Sequence, residues 1–260
     1  TVEALGNPQI NTPNVNKLVE SGTAFTRAYT QSPICTPSRA SFMTGRYPAS
    51  HHVHRNGAEY FPEDEVLVSR ILADAGYHCG LIGKQHLSRA QGIVEKRPDD
   101  GYDEFYYSHH PYPDGPEPGD YGKWLKKEKN VDIKKLYEKD QAYGAGVPEA
   151  YHQTTWAAER ARDFIEKNQD QSWLLNINLF DPHPPFDPPP EILDHYNSQE
   201  IPLPLFQEKD INHQQQFTEI DQQVKISQNI FKLDQTGAIA EQETEGPTHS
   251  SAPVSYNPRQ

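Results

Sequence analysis

Two segments of the sequence each combine an amphipathic helix pattern with a strand that follows it directly. Residues 66–75 carry apolar side chains at helical spacing, Gly76 ends the helix, and residues 79–82 form a short apolar run. The same order recurs in residues 151–168 and 172–180. A helix that leads into a strand twice over is typical of an α/β fold with a largely parallel sheet.

Polar residues follow the predicted strands. A third strand is predicted for residues 23–30, where polar and apolar side chains alternate, and Cys35 lies just beyond it. Lys84 follows the first of the two strands above, and His183 follows the second. The carboxyl ends of parallel strands share one edge of a sheet, so we expect these three side chains to converge there.

Two further helices are predicted before and after this cysteine. One begins at Thr12 and Pro13 and ends at Gly22, and the other begins at Thr36 and runs to about Thr44. Backbone N–H groups at a helix start stabilise an anion such as a thiolate. Thiolate phosphatases use that geometry, but they place an arginine where this chain has a serine, so their phosphate loop is excluded.

Charge limits the partners that the chain can have. The net charge is −13, from 24 basic and 37 acidic residues, which argues against binding to nucleic acid or to anionic membranes. An anionic substrate would need a local cluster of positive charge. No stretch has the pattern of a membrane span or a signal peptide, and the sequence opens on Thr1.

The character of the sequence changes near residue 200. We expect residues 1–200 to form the main body of one domain. Residues 201–260 are polar, rich in glutamine and without periodicity, and they predict a largely irregular surface excursion of the same domain.

Residues 35–46 resemble the signature of the sulfatases. The seven fixed positions of that signature are filled by Cys35, Pro37, Ser38, Arg39, Thr44, Gly45 and Arg46. Residues 11–29, 76–87 and 181–189 are also similar to sulfatase segments, and the resemblance covers most of residues 1–200. It implies an alkaline-phosphatase-like sandwich, with a largely parallel central sheet flanked by helices, incomplete at both ends.

The resemblance also implies a reaction. In sulfatases the cysteine is oxidised to formylglycine by a formylglycine-generating enzyme, which here would act on residues 35–39. The aldehyde hydrates to a diol, of which one hydroxyl attacks sulfur and the other expels sulfate. The implied protein is a calcium-dependent sulfuric ester hydrolase, acting on a carbohydrate, aryl or alkyl sulfate. Cys35, as formylglycine, would itself be a calcium ligand.

Roles for four further residues follow from the resemblance. Arg39, one helical turn after Cys35, would hold the diol and the metal-side oxygens. Lys84 would bind the sulfate, His86 would be the acid–base partner of the second hydroxyl, and His183 would contact the leaving oxygen.

Some of these residues have simpler interpretations. Lys84 could be a solvated charge, and His183 stands in a proline run that could be a stiff linker. Arg46 could form a structural ion pair at the helix end rather than a site contact. Residues 51–57 contain several histidines in an irregular segment, where histidines are more often solvated than metal-bound. Cys79 lies within a predicted strand and is interpreted as a core thiol.

The sequence departs from the family in its metal ligands. The paired aspartates and the later aspartate that bind calcium in sulfatases, and a second lysine, have no counterpart in residues 1–260. We therefore expect this chain to be inactive alone. A phosphonate monoester hydrolase or phosphodiesterase with a similar signature remains an alternative, as does a non-catalytic remnant. Family members are periplasmic, secreted or lysosomal, and the sequence leaves the compartment open.

Overall fold

A computed structural model describes residues 2–90, 94–111, 119–137, 144–193, 195–196 and 207–216. The chain divides into two units, Thr1–Ile201 and Pro202–Gln260. The first unit holds the sheet. In the second, the described residues form one helix with a residue at each end.

A three-stranded parallel sheet forms the centre of the first unit. Its strands are β1 (His78–Gly83), β2 (Glu104–Tyr107) and β3 (Trp173–Asn178), in the order β2-β1-β3. Gly80 pairs with Glu104 on one side, and His78 pairs with Trp173 on the other. The predicted α/β class with a parallel sheet is confirmed, and β1 is its central strand.

The helices of the described residues precede and follow these strands. They are α1 (Pro13–Ser21), α2 (Cys35–Thr44), α3 (Pro48–His51), α4 (Val68–Asp74), α5 (Asp120–Glu128), α6 (Ile133–Leu136), α7 (Gln153–Asn168), α8 (Pro190–Leu193) and α9 (Glu208–Gln215). Short 3-10 turns occur at Glu3–Leu5 and Glu149–Tyr151. The predictions for α1, α2, α4, α7, β1 and β3 are confirmed to within about two residues, the usual scatter of helix and strand ends. β2 and α5 had no clear signal in the sequence.

Alternate side chains of β1 enter two separate cores. Cys79 and Leu81 lie with residues of α2 and of the segments around α3 and α4, while Ile82 lies against α5 and α7. Burial on both faces explains why β1 is a continuous apolar run rather than an alternating one. Cys79 is fully buried, as expected for a core thiol.

The predicted strand at residues 23–30 is wrong. These residues form neither helix nor strand, and Phe25 and Tyr29 are 80% and 81% exposed. Alternation makes a strand only where a neighbouring strand satisfies the backbone groups, and none of the described strands pairs with this segment. Cys35 therefore follows an exposed, irregular segment.

Within residues 201–260, which were expected to be largely irregular, Glu208–Gln215 form the helix α9. Apart from the adjacent residues 207 and 216, the rest of that segment lies outside the described residues. In the part of the chain that the structure describes, no helix has the length and apolar character that crossing a bilayer requires.

Gly83 supplies a test of the sheet. It ends β1 with φ +102°, and a Cβ there would lie 2.1 Å from the carbonyl oxygen of Asn178 on β3. We predict that Gly83→Ala lowers the free energy of unfolding by about 3 kcal/mol or more, measured by urea denaturation. Gly76→Ala is the control, since Gly76 also has positive φ but its Cβ would meet open space. It should lose only about 1–2 kcal/mol, and equal losses would contradict the close approach.

Candidate active site

The polar side chains meet at the carboxyl edge of the sheet. Lys84 directly follows β1, His109 lies just beyond β2, and Phe180 lies just beyond β3. The ammonium of Lys84 lies 5.7 Å from the centre of the Phe180 ring. The backbone N–H of Lys84 donates to the carbonyl of Asn178 at 3.0 Å, which holds the turn after β1 against the end of β3.

Cys35 is the first residue of α2 and is half-buried. The residue before it, Ile34, offers no side-chain cap. Asn56 takes that role from another segment, because its Oδ1 accepts hydrogen bonds from the N–H and the hydroxyl of Thr36 at 3.3 and 3.0 Å. The helix start that carries Cys35 is therefore held by a tertiary contact.

The thiol of Cys35 hydrogen-bonds with His183. This bond lowers the pKa of Cys35, and the nearby charges of Lys84 and Arg39 lower it further, against the opposing effect of burial. The same bond raises the pKa of His183. Each side chain therefore stabilises the charged form of the other.

His183 is oriented by its own proline-rich segment. Its Nδ1 lies 2.7 Å from the carbonyl oxygen of Pro184, and its backbone N–H donates to Phe180 at 3.1 Å. A carbonyl oxygen only accepts, so Nδ1 carries a proton that it donates to Pro184, and Nε2 is the ring nitrogen that remains available. The segment brings His183 to the edge of the sheet, where the residue remains exposed.

Two cations lie behind the thiol in a desolvated position. Lys84 is 3% exposed, and burial lowers its pKa to about 8, with the charge of Arg39 contributing. Burial also lowers the pKa of Arg39, whose Nη1 donates to the carbonyl of Lys84 at 3.0 Å. A bound anion would relieve both shifts, so this pair is a local receptor for negative charge in an acidic chain.

His86 and His109 form a neutral pair beside these cations. Burial is the main cause that lowers their pKa values, to about 3 and about 2, and the charge of Lys84 adds to it. Their rings meet edge-on with centroids 4.4 Å apart. Each Nδ1 is buried and has no hydrogen-bond partner among the described residues.

His109 and Glu95 are two members of the site that the sequence did not identify. His109 belongs to a Ser-His-His run directly after β2, and that signal was lost because β2 itself was not predicted. Glu95 is buried and its carboxylate accepts hydrogen bonds from the backbone of the loop that carries Lys84 and His86. Nothing in the local sequence around Glu95 distinguishes it from a surface glutamate.

Other candidate residues have structural roles. Arg46 forms an ion pair with Glu65 at 3.1 Å, which is the structural interpretation of that arginine. His51 is fully buried, and its Nδ1 accepts from the N–H of Val53 at 3.1 Å, so its Nε2 proton is directed to Ser41 at 3.0 Å. His51 is thus a satisfied core histidine.

The described residues do not fit a calcium site. Calcium takes six to eight oxygen ligands, most of them carboxylates and carbonyls. Within the described ranges no group of three or more His, Cys, Asp or Glu side chains could hold a metal ion. Glu95, the carboxylate that interacts with Arg39 and Lys84, has both oxygens taken by backbone donors.

Comparison with known proteins gives consistent matches. The sequence profile described as Sulfatase matches residues 1–229. The arylsulfatase of Clostridium perfringens is 30% identical over 213 residues, which are 77% of this chain and 44% of that protein. Human steryl-sulfatase is 44% identical over 92 residues, 32% of this chain and 16% of its own. The chain therefore spans less than half the length of these relatives.

A solved structure shows the same fold. The phosphonate monoester hydrolase of Agrobacterium radiobacter superposes with a TM-score of 0.60 over 78% of this chain and 42% of its own. Its sequence is 22% identical, so the similarity concerns the fold alone.

The thiol–imidazole pair leads to a pH-dependent test on unmodified protein. We predict that alkylation of Cys35 has its midpoint below the value of about 8.5 for an ordinary thiol. His183→Ala should raise that midpoint, because the hydrogen bond that stabilises the thiolate is lost. Peptide-resolved mass spectrometry measures the rate against pH. His54→Ala, an exposed histidine outside the site, should leave the midpoint in place. An unchanged midpoint in His183→Ala would contradict the pairing.

Proposed function

Because the chain belongs to the sulfatase family, we propose that it carries the nucleophile and the sulfate-binding groups of a sulfuric ester hydrolase. The observation that supports this is the convergence of Cys35 with Arg39, Lys84 and His183 at one edge of the sheet. Two desolvated cations beside a potential nucleophile suit the transfer of a sulfuryl group, whose anionic oxygens need fixed positive charge. The substrate class is an organic sulfate, on a carbohydrate or on an aryl or alkyl group.

Formylglycine made from Cys35 would add one water to become a diol, of which one hydroxyl would attack sulfur and the second would expel sulfate as the aldehyde forms again. The position suits this modification. Cys35 is half-buried and borders an open cleft of about 660 Å³, lined by residues 28–35 and by Ser38, Arg39 and Phe42. The cleft gives an ester room to reach position 35.

The side chains around Cys35 divide the remaining work. Lys84 and Arg39 bind the sulfuryl oxygens, and anion binding raises the pKa of Lys84 from about 8, so that it stays charged. His183 lies beside position 35 and can donate a proton to the leaving oxygen. His86 is neutral near pH 7, and its buried Nδ1, which has no partner among the described residues, can form a hydrogen bond with the second hydroxyl.

Mass spectrometry tests the nucleophile. We predict that co-expression with a formylglycine-generating enzyme replaces the sulfur of Cys35 by an aldehyde oxygen. Arg39→Ala should abolish the conversion, since Arg39 belongs to the segment that the modifying enzyme would read. Arg55→Ala is the control, because Arg55 is exposed and lies outside the signature. A Cys35 thiol that stays unmodified under these conditions would favour the non-catalytic interpretation.

Turnover tests the reaction class. The longest natural gene product that contains these residues should hydrolyse nitrophenyl sulfate faster than a phosphonate monoester. The reverse preference would make the protein a phosphonate hydrolase. Lys84→Ala should lower turnover by about 10²- to 10³-fold, the cost of losing one charge-stabilising donor, while Lys96→Ala at an exposed position should not. The 260-residue chain alone should show no turnover of nitrophenyl sulfate, because its described residues hold no metal-ligand group. Comparable turnover by this chain and by the longest gene product would overturn that expectation.

A further inference from the structure

The loop that follows β1 carries two residues of the proposed site, Lys84 and His86. The backbone of His86 has an unfavourable conformation. This loop, Lys84–Ser88, leaves the strand through Gly83 at φ +102°, and His86 has φ +57°. A non-glycine residue in the left-handed region is disfavoured, because its Cβ comes too close to the following carbonyl oxygen. Such a conformation persists only where surrounding contacts hold it.

The contacts that hold it converge on Glu95. One carboxylate oxygen accepts the N–H of His86 at 2.6 Å, and the other accepts those of Leu87 and Ser88, the latter at 2.8 Å. Three consecutive backbone donors therefore meet one carboxylate. Hydrogen bonds of this charge-assisted kind are about twice as strong as neutral ones.

Burial makes the position of Glu95 costly without these partners. Glu95 is 3% exposed, and this burial raises the pKa of its carboxyl group. The backbone donors and the charge of Arg39 act in the opposite direction and lower that pKa. An isolated carboxylate would not be kept in such a place. The three N–H groups and the nearby arginine are what make it tolerable.

The opposite end of the loop is held from the nucleophile's helix. Arg39 on α2 donates to the carbonyl of Lys84, so the loop is tied to α2 at its first residue and to Glu95 at its last three. Because Arg39 lies one helical turn after Cys35, the two ties together relate the loop to the thiol.

We propose that Glu95 is a positioning residue that fixes the Lys84–Ser88 loop, so that Lys84 stays close to Cys35 and His86 stays close to Lys84. It acts through the loop backbone and does not touch the substrate. That the loop serves catalysis rests on the proposed function. The effect of Glu95 on the position of the loop can be measured on the protein in which Cys35 is an unmodified thiol.

The test compares two buried carboxylates. Glu95→Gln keeps the size of the side chain but offers one oxygen where the loop needs two. Glu65→Gln is the control, because Glu65 is also buried and paired, with Arg46 rather than with the loop. In Glu95→Gln, amide hydrogen exchange at residues 86–88 should rise at least about tenfold over the control, and the affinity for inorganic sulfate should fall about 10- to 100-fold.

The alkylation midpoint of Cys35 separates positioning from a charge effect. If Glu95 positions the loop, its loss withdraws Lys84 and the midpoint rises. If Glu95 acted only as a negative charge, its removal would leave the midpoint unchanged or lower it. Unchanged exchange at residues 86–88, or a midpoint that does not rise, would overturn the proposal.

If Glu95→Gln does not fold, Glu95→Asp carries the test, since a carboxylate one methylene shorter should restore part of the amide protection and part of the midpoint shift. If Glu95→Asp behaved fully like the wild type, the proposal that the carboxylate must have the length of glutamate to reach the loop would be wrong. A wild-type chain that binds no sulfate, or whose Cys35 is never modified, would overturn the proposed function while the exchange and alkylation results still decide the role of Glu95.

Discussion

Positive charge buried at the carboxyl edge of the sheet is the constraint on which the rest of the site depends. Lys84 and Arg39 are desolvated together, and burial lowers the pKa of each. The charge of Glu95 lies nearby and partly offsets this cost, since it raises the pKa of both cations. The same two charges act on the thiol of Cys35, whose pKa is lowered by His183, Lys84 and Arg39.

The parallel sheet explains how residues so distant in sequence come together. β1, β2 and β3 end side by side, and the turns after them deliver Lys84, His109 and the segment of His183 to one edge. The helix start at Cys35 completes the arrangement from outside the sheet. Its cap comes from Asn56, so the position of Cys35 also depends on a segment that lies twenty residues further along the chain.

Much of this was predictable because it is local. Helix starts, glycine stops and apolar runs placed α1, α2, α4, α7, β1 and β3, and the spacing of residues 35–46 pointed to the family that the sequence profile matches. The strand predicted at 23–30 failed because pairing is not local, and β2 was missed because four residues with mixed exposure carry little pattern. His109 was missed with it.

The sequence by itself determined the family and supplied candidate residues for the chemistry, since a twelve-residue signature and the ends of apolar runs can be read without knowing what lies beside them. Only the tertiary structure decided what each of them touches. It assigned Arg46 to Glu65, His51 to Ser41 and Asn56 to the helix cap, and it brought Glu95 under the loop of Lys84 and His86. The physical reason is that desolvation, charge pairing and hydrogen bonding act between neighbours in space, and a burial cost such as that of Glu95 exists only once the chain has folded.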